Sequence, residues 1–312
     1  MKKILVLLSL AVLLVAGSAF AQLGPFVVWE FPKMTEPPEL DGVRGEAEWA
    51  GANQSQCSPS QVERDAADYG WLNQDAGQSN RGINQLLQGD EEEADEAKTD
   101  ADITSNFWLA WDEDGIYYIH EVRDNFHDTT QDAGGNPLAW WERDSVSLYI
   151  DLTNSNVGGG GELYESMNIV NTLAEPQASS NVTVTFVTIE AGARVDTQDP
   201  DVIEGIEYGY REAGDEFGGE ADYVLEAMVE WDTFMQFNLP ETPTVGSVMG
   251  IQMLLPDPDI APGWNGQIQC MGSADYPSSY DDFVFSDNPA GPGAGTPVES
   301  DSWGRIKSTF NN

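Results

Sequence analysis

Basic residues are scarce in this sequence. Its 312 residues include 13 lysines and arginines against 54 aspartates and glutamates, which gives a formal net charge of −41 at pH 7. Proteins that bind nucleic acids or anionic membranes neutralise phosphate with lysine and arginine, so this charge argues against both partners. Cations, neutral molecules and basic proteins remain as partners. The acidity itself suits solubility in a salty or calcium-containing medium and indicates no catalytic role.

Long apolar runs are absent except at the start of the chain. Lys2 and Lys3 precede an apolar run from Ile4 to Ala16, and small residues follow up to Ala21. This pattern predicts a secretory signal peptide over residues 1–21, cleaved after Ala21. A membrane span needs roughly 20 apolar residues, so we expect no membrane span. The mature chain is therefore expected to be exported, to the periplasm, the cell surface or the medium.

Cysteine and histidine are also rare. Two cysteines, Cys57 and Cys270, lack CxxC spacing, and in an oxidising compartment they predict one disulfide rather than a metal site. Closing so long a loop would contribute about 4 to 5 kcal/mol in the chain-entropy model. Neither His120 nor His127 lies in a known catalytic motif, so we expect no enzyme and no catalytic residues. A carboxylate pair for glycoside hydrolysis stays open, since acidic residues occur throughout.

What the chain does contain is a series of short segments that alternate apolar and polar residues. This period of two predicts strands, each with one buried and one wetter face, whereas helical turns are expected only at Gly45–Ala52 and Asp232–Phe237. The segments predict an all-β fold, a two-sheet antiparallel β-sandwich of jelly-roll type. The predicted strands are Phe107–Trp111, Ile116–Arg123, Ser145–Leu152, Leu163–Val170, Val182–Ile189, Tyr223–Trp231, Val248–Leu255 and Tyr280–Phe285.

Two stretches interrupt this pattern. Between about residues 53 and 105 the chain is rich in polar residues and ends in the acidic run Gly89–Asp102, which predicts a long excursion from a single domain over residues 22–312. The low-complexity piece Asn288–Asp301 predicts a loop before a last short strand at Trp303–Ile306. Trp71 is expected to anchor the excursion.

Several ordered motifs resemble the carbohydrate-binding modules of family 9 and their DOMON-like relatives. The motifs are PPELDGVRGEAEWAGA from Pro37, FWLAWDEDGIYYIHEVRD from Phe107, WERDSVSLYID from Trp141, the strand Tyr223–Trp231, and MGIQMLLPDPD followed by Trp303-Gly304. The resemblance implies a β-sandwich that holds sugar chains between aromatic side chains and carries calcium in structural sites. It covers most of the mature chain except the acidic excursion.

The resemblance places a ligand site around Trp141, because sugar C–H groups pack on an indole face while polar groups meet the hydroxyls. Alternation predicts a common solvent-side face for Trp141, Arg143, Ser147 and Tyr149. Trp264 is the best candidate for an opposing aromatic side chain. Ser147 stands where the family usually has glutamate, so one strong hydrogen-bond acceptor is missing.

Other residues near this segment and in the strands are predicted to be structural. Trp140 has the opposite parity and is expected in the core, and Asp144 is expected to accept backbone hydrogen bonds where the strand begins. Packing roles are also predicted for Trp108, Trp111 and Trp231.

Calcium is the one cofactor that the sequence predicts, as a structural ion. It takes six to eight oxygen ligands, and several acidic groups could supply them, although none has EF-hand spacing. The candidates are Asp41, Glu46, Asp257 and Asp259, besides the run Asp90–Asp102.

Together these patterns favour non-catalytic carbohydrate binding by an exported protein, with other exported proteins as further partners. The first alternative is a structural or cell-surface assembly protein that keeps the sandwich without binding sugar. The second is a periplasmic haem protein in which His120 pairs with Met167 or Met228 as axial ligands.

Overall fold

The computed structural model describes residues 27–69, 82–84, 99–126, 144–156, 166–172, 182–188, 193–197, 205–236, 239–257, 266–274 and 276–294. In residues 82–84, 166–172, 182–188 and 193–197 only the backbone is described. The predicted signal peptide, the last strand at Trp303–Ile306 and several side chains lie outside these ranges. Those side chains are Trp71, His127, Trp140, Trp141, Arg143, Asp259 and Trp264, and the side chain of Met167 falls in a range of which only the backbone is described.

Strands dominate the described chain, as the alternation predicts. The strands are β1 (Val28–Met34), β2 (Asn53–Cys57), β3 (Gly82–Asn84), β4 (Ile103–Trp111), β5 (Gly115–Asp124), β6 (Ser145–Asp151), β7 (Ser166–Thr172), β8 (Val182–Thr188), β9 (Ala193–Thr197), β10 (Ile206–Gly214), β11 (Asp222–Glu230), β12 (Val248–Pro256), β13 (Gln267–Cys270) and β14 (Asp281–Ala290). The described residues also form two α-helices, α1 (Pro59–Tyr69) and α2 (Trp231–Met235), and a 3-10 helix (Pro277–Ser279). None of the described helices has the length and apolar character that a membrane crossing requires.

The strands form one continuous hydrogen-bonded path in the order β10-β11-β5-β4-β1-β14-β12-β6-β7-β8-β9, with β2 beside β4 and with β13 joining β3 to β12. Neighbouring strands are antiparallel except around β1, which pairs in parallel with β14 and, at Lys33 and Trp111, with β4. The parallel pairing of β1 is an exception within the antiparallel sandwich that the sequence predicts. A parallel pair needs a long crossover, and here the rest of the described fold lies between the two strands in sequence.

The path folds back on itself, so its two halves pack face to face around one hydrophobic core. This arrangement confirms the predicted β-sandwich, since inward side chains alternate along the strands of both halves. Burial of these apolar side chains is the main source of stability. The core contains Phe107, Tyr118 and Leu225 from one half and Leu148, Ile251 and Phe283 from the other.

The outer faces of the central strands are buried too, which differs from the predicted wetter faces. On β4, β5 and β11 a second apolar cluster includes Trp108, Tyr117 and Val224, and Trp49 from the β1–β2 connection packs on it. On β6 and β12 a third cluster contains Tyr149, Leu254, Ala274 and Tyr280. Alternation shows which face a side chain is on, but segments distant in sequence decide whether water reaches that face.

Part of the predicted excursion belongs to the sheet. Strand β2 pairs with β4 from Asn53 to Cys57, and α1 follows directly. Cys57 and Cys270 form the predicted disulfide, with their Cα atoms 5.6 Å apart, and both are buried in the main core. The disulfide therefore connects β2, which lies beside β4, to β13, which lies beside β12.

Candidate functional site

Strand β6 carries two of the predicted ligand-binding residues. It lies between β12 and β7, with Ser147 opposite Leu254 and Tyr149 opposite Gln252. Because Leu148 and Ile150 enter the core, Ser147 and Tyr149 share the outer face, as alternation predicts. The predicted exposure is wrong, however, since Ser147 is 0% and Tyr149 is 9% exposed. Tyr149 packs in the third cluster with Ala274 and Tyr280, from a connection that sequence alone does not place there.

At its described central positions, the outer face of β6 and β12 carries polar side chains but no charged ones. Ser147 Oγ and Gln252 Oε1 are buried without a hydrogen-bond partner. By contrast, Gln269 Oε1 on neighbouring β13 accepts a bond of 2.7 Å from the Ala274 N–H. Buried polar atoms in proteins are nearly always paired. Ser147 and Gln252 thus leave two neutral hydrogen-bonding atoms unpaired on one face of adjacent strands, and their burial keeps both side chains from direct contact with the solvent.

Three aspartates converge where the two halves of the sandwich meet. Asp124 ends β5, Asp144 directly precedes β6, and Asp257 directly follows β12. All three are buried, and one carboxylate oxygen from each lies within 4.8 Å of the others. Asp124 Oδ1 also accepts a bond of 2.9 Å from the Phe126 N–H. The sequence predicts Asp257 as a metal ligand but neither Asp124 nor Asp144. Residues from three separate segments form no spacing pattern by which a shared site could be predicted.

Like charges at this distance repel, and burial increases the free-energy cost of keeping them ionised. Tyr223 responds to this field: its pKa is raised well above the usual value, first by burial and then by Asp124, Asp144 and Asp257. A cation bound between three carboxylates in so small a volume would reduce their mutual repulsion. Hard oxygen donors of this kind suit calcium or magnesium. The three carboxylates therefore fit calcium, the ion that the sequence predicts, but of the predicted ligands only Asp257 belongs to this cluster.

The other predicted metal ligands that the structure describes do not converge. Asp41 and Glu46 are exposed, and Asp41 Oδ1 accepts a bond of 2.9 Å from the Val43 N–H. Among the described residues, neither belongs to a group of three potential ligands. Asp41 and Glu46 are therefore not part of the cluster formed by Asp124, Asp144 and Asp257.

His120 is a core residue packed among protein side chains. It is fully buried, its Nδ1 lies 2.8 Å from Ser105 Oγ, and its ring stacks on Phe107. Burial lowers the pKa of His120 to about 3, so the ring stays neutral. Its strand neighbour Tyr118 faces the main core, whereas Met228 packs on the outer cluster. The predicted pair of His120 and Met228 is wrong because the two residues lie on opposite faces of the sheet.

Three tryptophans have the packing roles predicted for them. Trp108, Trp111 and Trp231 are all buried. The indole N–H of Trp111 donates to the Phe31 carbonyl at 2.9 Å, and that of Trp231 donates to the Asp112 carbonyl at 2.9 Å. These rings satisfy their polar atoms inside the fold, as buried tryptophans usually do.

Two solved structures resemble the fold. One is a carbohydrate binding module of family 9 from Caldicellulosiruptor kristjanssonii in complex with cellotriose, with a TM-score of 0.47 and 11% identity over 83% of this chain and 94% of that chain. The other is a family 9 module from the same organism in complex with glucose, with a TM-score of 0.42 and 13% identity over 83% of this chain and 96% of that chain. No curated protein sequence matches this chain.

A family model gives the assignment. The model described as "Carbohydrate family 9 binding domain-like" matches residues 83–282, which is more than half of the 312 residues. The matched range runs from β3 into β14 and includes the outer face of β6 and the three buried aspartates. The chain therefore belongs to the carbohydrate family 9 binding domain-like family.

Proposed function

We propose that this protein is exported and binds carbohydrate without catalysis. The match of residues 83–282 to the carbohydrate family 9 model carries the proposal. The chain carries a net charge of −41 at pH 7. Charged polysaccharides of the same sign would be repelled, so a neutral glycan is the expected ligand.

The binding mode follows from sugar chemistry. In the proposal Trp141 and Trp264 provide aromatic faces for the C–H side of a sugar ring, and Arg143 meets its hydroxyl groups. Ser147 and Tyr149 are buried, so they are not among the direct contacts. Arg143 is the strongest donor in this set, since its charge shortens hydrogen bonds to oxygen acceptors. Cellotriose and glucose, the ligands in the structures named above, are sensible first ligands to test.

Retention on insoluble polysaccharides and calorimetry with cellotriose test the proposal. Trp141→Ala should weaken binding by about tenfold, because one aromatic platform contributes roughly 0.5–1.5 kcal/mol beyond its area. Met235→Ala is the control, since Met235 is an exposed apolar residue on α2, away from β6. Equal affinity of the protein and Trp141→Ala would refute the site. Failure of the folded protein to bind any glycan would favour the structural or surface-assembly alternative, and release of reducing sugar would contradict a non-catalytic role.

We also propose that Asp124, Asp144 and Asp257 hold a structural cation, with calcium as the expected ion. The convergence of three buried carboxylates supports this, since a divalent ion would neutralise charge that is otherwise costly to bury. The ion would supply no catalytic chemistry. It would join the end of β5 to segments adjoining β6 and β12.

Thermal unfolding with added calcium or a chelator tests the cation. About 1 mM calcium should raise the melting temperature by a few degrees, because ligand that binds only the folded state stabilises it. Asp257→Asn should abolish the calcium-dependent rise, whereas Glu46→Gln, at an exposed position outside the cluster, should keep it. A rise that survives Asp257→Asn and disappears in Glu46→Gln would contradict this assignment.

A further inference from the structure

Strand β10 lies at one end of the strand path, and only one of its two edges is paired within the described part of the chain. It pairs with β11 along its length, in regular register from Ile206 to Glu212. No described strand pairs with its other edge. Alternate residues of an antiparallel strand direct their backbone N–H and C=O groups to opposite edges, so half of those in β10 point away from the sheet. Such a row of groups is a template for pairing with another strand.

This edge lacks the features that usually keep an exposed edge from pairing. Natural proteins block such edges with proline, with lysine or with a bulge. The regular part of β10, Ile206–Glu212, has the sequence IEYGYRE and contains neither proline nor lysine. The register shift between β10 and β11 comes after it, between Glu212 and Gly214. The regular part therefore carries none of these three blocks.

The charges of β10 are complementary to those of a second copy of the same strand. Two identical antiparallel strands are related by a two-fold axis. An axis through Gly209, the middle residue of Ile206–Glu212, places Glu207 of each copy opposite Arg211 of the other. Opposite charges that face each other across two strands stabilise the pair. A register shifted by two residues in either direction would lose both charge pairs.

Both charged side chains are on the outer face of β10 and are accessible to a partner. Glu207 is exposed and forms no ion pair with another described residue. Arg211 donates through Nε to the Gly42 carbonyl at 2.9 Å and through Nη1 to Glu216 at 2.9 Å. A guanidinium has five N–H donors, so Arg211 keeps donors for a second carboxylate.

The two faces of β10 are compatible with this pairing. On the inner face, Tyr208 and Tyr210 pack against the main core and are partly buried. In the same register Tyr208 of one copy lies opposite Tyr210 of the other, and such aromatic pairs stabilise antiparallel strands. On the outer face, a Cβ at Gly209 would lie 2.3 Å from the Leu40 carbonyl oxygen. Because Cβ atoms stand out from the plane of a sheet, Leu40 lies above β10 and not in line with its edge.

We propose that β10 is a dimerisation edge, through which two copies of this chain pair along Ile206–Glu212 around Gly209, with two Glu207–Arg211 ion pairs across the junction. The pairing adds about six to eight backbone hydrogen bonds and joins the sheets of the two molecules. A two-fold contact uses the same surface on both copies, so this contact closes at the dimer. The inference does not depend on carbohydrate binding.

Two properties limit the strength of this dimer. One strand from each copy buries less than the roughly 1,600 Å² of a standard interface, and two chains of net charge −41 repel each other. Salt at about 0.15 M screens charges that are more than about 8 Å apart, whereas the contacts at the strand edge are shorter. We therefore expect a dissociation constant on the order of 100 μM at this salt concentration, and weaker association at about 0.01 M salt.

Sedimentation velocity of the full chain at about 0.15 M salt tests the proposal. The mass should rise with concentration from that of one chain to that of two. Glu207→Arg and Arg211→Glu should each weaken association at least about tenfold, because each places two like-charged pairs across the axis. Glu207→Arg also lowers the net negative charge, so long-range repulsion alone predicts the opposite result for this variant.

An equimolar mixture of the two variants provides the decisive comparison. In the mixed dimer, two arginines of one copy face two glutamates of the other, so association should return to that of the unmodified protein. Glu216→Gln is the control, since it removes the intramolecular partner of Arg211 and should not weaken association. The proposal is overturned by a single-chain mass at all concentrations up to about 500 μM, by a dimer that neither variant weakens, or by a mixture that associates no better than the variants alone.

A second measurement on the unmodified protein covers the case in which Arg211→Glu fails to fold. The amides of β10 that point to the open edge should exchange more slowly at about 500 μM than at about 5 μM protein, because pairing protects them. The Leu109 amide, in the central strand β4, is the internal control and should not change with concentration. Exchange in β10 that is independent of concentration would equally overturn the proposal.

Discussion

At the scale of single residues, two buried ionisable side chains lie close together on opposite faces of β5 and β11. His120 faces the main core with Tyr118, and Glu226 accepts bonds from the Gly42 N–H at 2.9 Å and the Trp49 indole N–H at 3.1 Å on the other face. Burial favours the neutral form of each, so it lowers the pKa of His120 to about 3 and raises that of Glu226 to about 7. Their contributions to stability consequently change with pH in opposite directions.

His120 should make the fold less stable in mild acid. Below about pH 6.5 the unfolded chain takes up a proton on this histidine that the folded protein does not accept until about pH 3. The free energy of unfolding should therefore fall with decreasing pH across this window, with a slope of up to about 1.4 kcal/mol per pH unit from this residue. Urea unfolding of the protein and of His120→Gln between pH 4 and pH 7 measures the difference in slope.

Ser105→Ala is the matched control for this prediction. It removes the hydroxyl that contacts His120 Nδ1 but leaves a histidine that titrates, so it should keep the pH slope. The prediction fails if His120→Gln retains the full slope of the unmodified protein.

The sequence predicted on which face of a strand each side chain lies, but it did not predict which other residues pack against that face. Alternation correctly placed Leu148 and Ile150 in the core and Ser147 on the opposite face. It could not show that Ala274 and Tyr280, more than a hundred residues later, cover the face next to Tyr149. The same limitation hid the convergence of Asp124 and Asp144 with Asp257, because a cation site built from three segments has no spacing pattern.

At the scale of secondary-structure elements, strands with strong alternation of apolar and polar residues were predicted, whereas elements with weaker patterns were missed. The predicted segments at β4, β5, β6, β8, β11 and β12 correspond to observed strands within a few residues. Strand β10 was missed although Ile206, Tyr208 and Tyr210 alternate with polar residues and glycine, because Gly209 interrupts the run. Helix α1 was missed because it has few apolar residues, and only Val62 and Ala66 give it a buried apolar face.

An Asp-Gly pair in a short hairpin loop typically forms a tight turn with positive φ, and the β4–β5 hairpin contains Asp114-Gly115. Neither residue has positive φ. Instead, Asp112 Oδ1 accepts bonds from the N–H groups of Asp114 at 2.8 Å and Gly115 at 3.1 Å, and its Oδ2 accepts one of 2.9 Å from the Tyr117 hydroxyl. Gly115 is needed because a Cβ there would lie 2.1 Å from the Val229 carbonyl oxygen.

Removal of the Asp112 carboxylate should destabilise this hairpin. Asp112→Ala should lower the free energy of unfolding by roughly 2–3 kcal/mol, because it leaves buried or partly buried donors without their acceptor. Asp112→Asn should cost less, since its amide oxygen still accepts from the turn. Chemical denaturation of both variants gives the comparison, and an equal loss in both would show that the hydrogen bonds of Oδ1 contribute nothing measurable.

At the scale of the whole molecule, the family and the sandwich were predictable because the motifs occur in the order that the fold requires. The parallel pairing of β1 was not, since the segment Val28–Met34 contains a proline and little alternation. Nor did the sequence show that β2 and α1, inside the expected excursion, contribute to the structure around the core.

The disulfide should contribute strongly to global stability. Cys57 and Cys270 are separated by 213 residues, and a crosslink over so long a loop removes up to about 5 kcal/mol of unfolded-state entropy. The double variant Cys57→Ser and Cys270→Ser should therefore unfold at much lower denaturant concentration. Reduction of the unmodified protein is the control that leaves the side-chain volumes nearly unchanged. If the oxidised and reduced proteins unfold at the same midpoint, the crosslink has no such role.

The parallel pair of β1 and β14 also constrains how the protein can be made. Trp29 on β1 donates to Asp281 on β14 at 2.6 Å across 252 residues of sequence, and these strands lie at the centre of the sheet, where the path passes from one half to the other. During synthesis β1 cannot pair with β14 until β14 has been made. The strands made earlier therefore have unpaired edges until then. Folding should consequently be slow and should finish only after synthesis of β14. A nascent chain stalled before β14 should depend on chaperones to avoid aggregation.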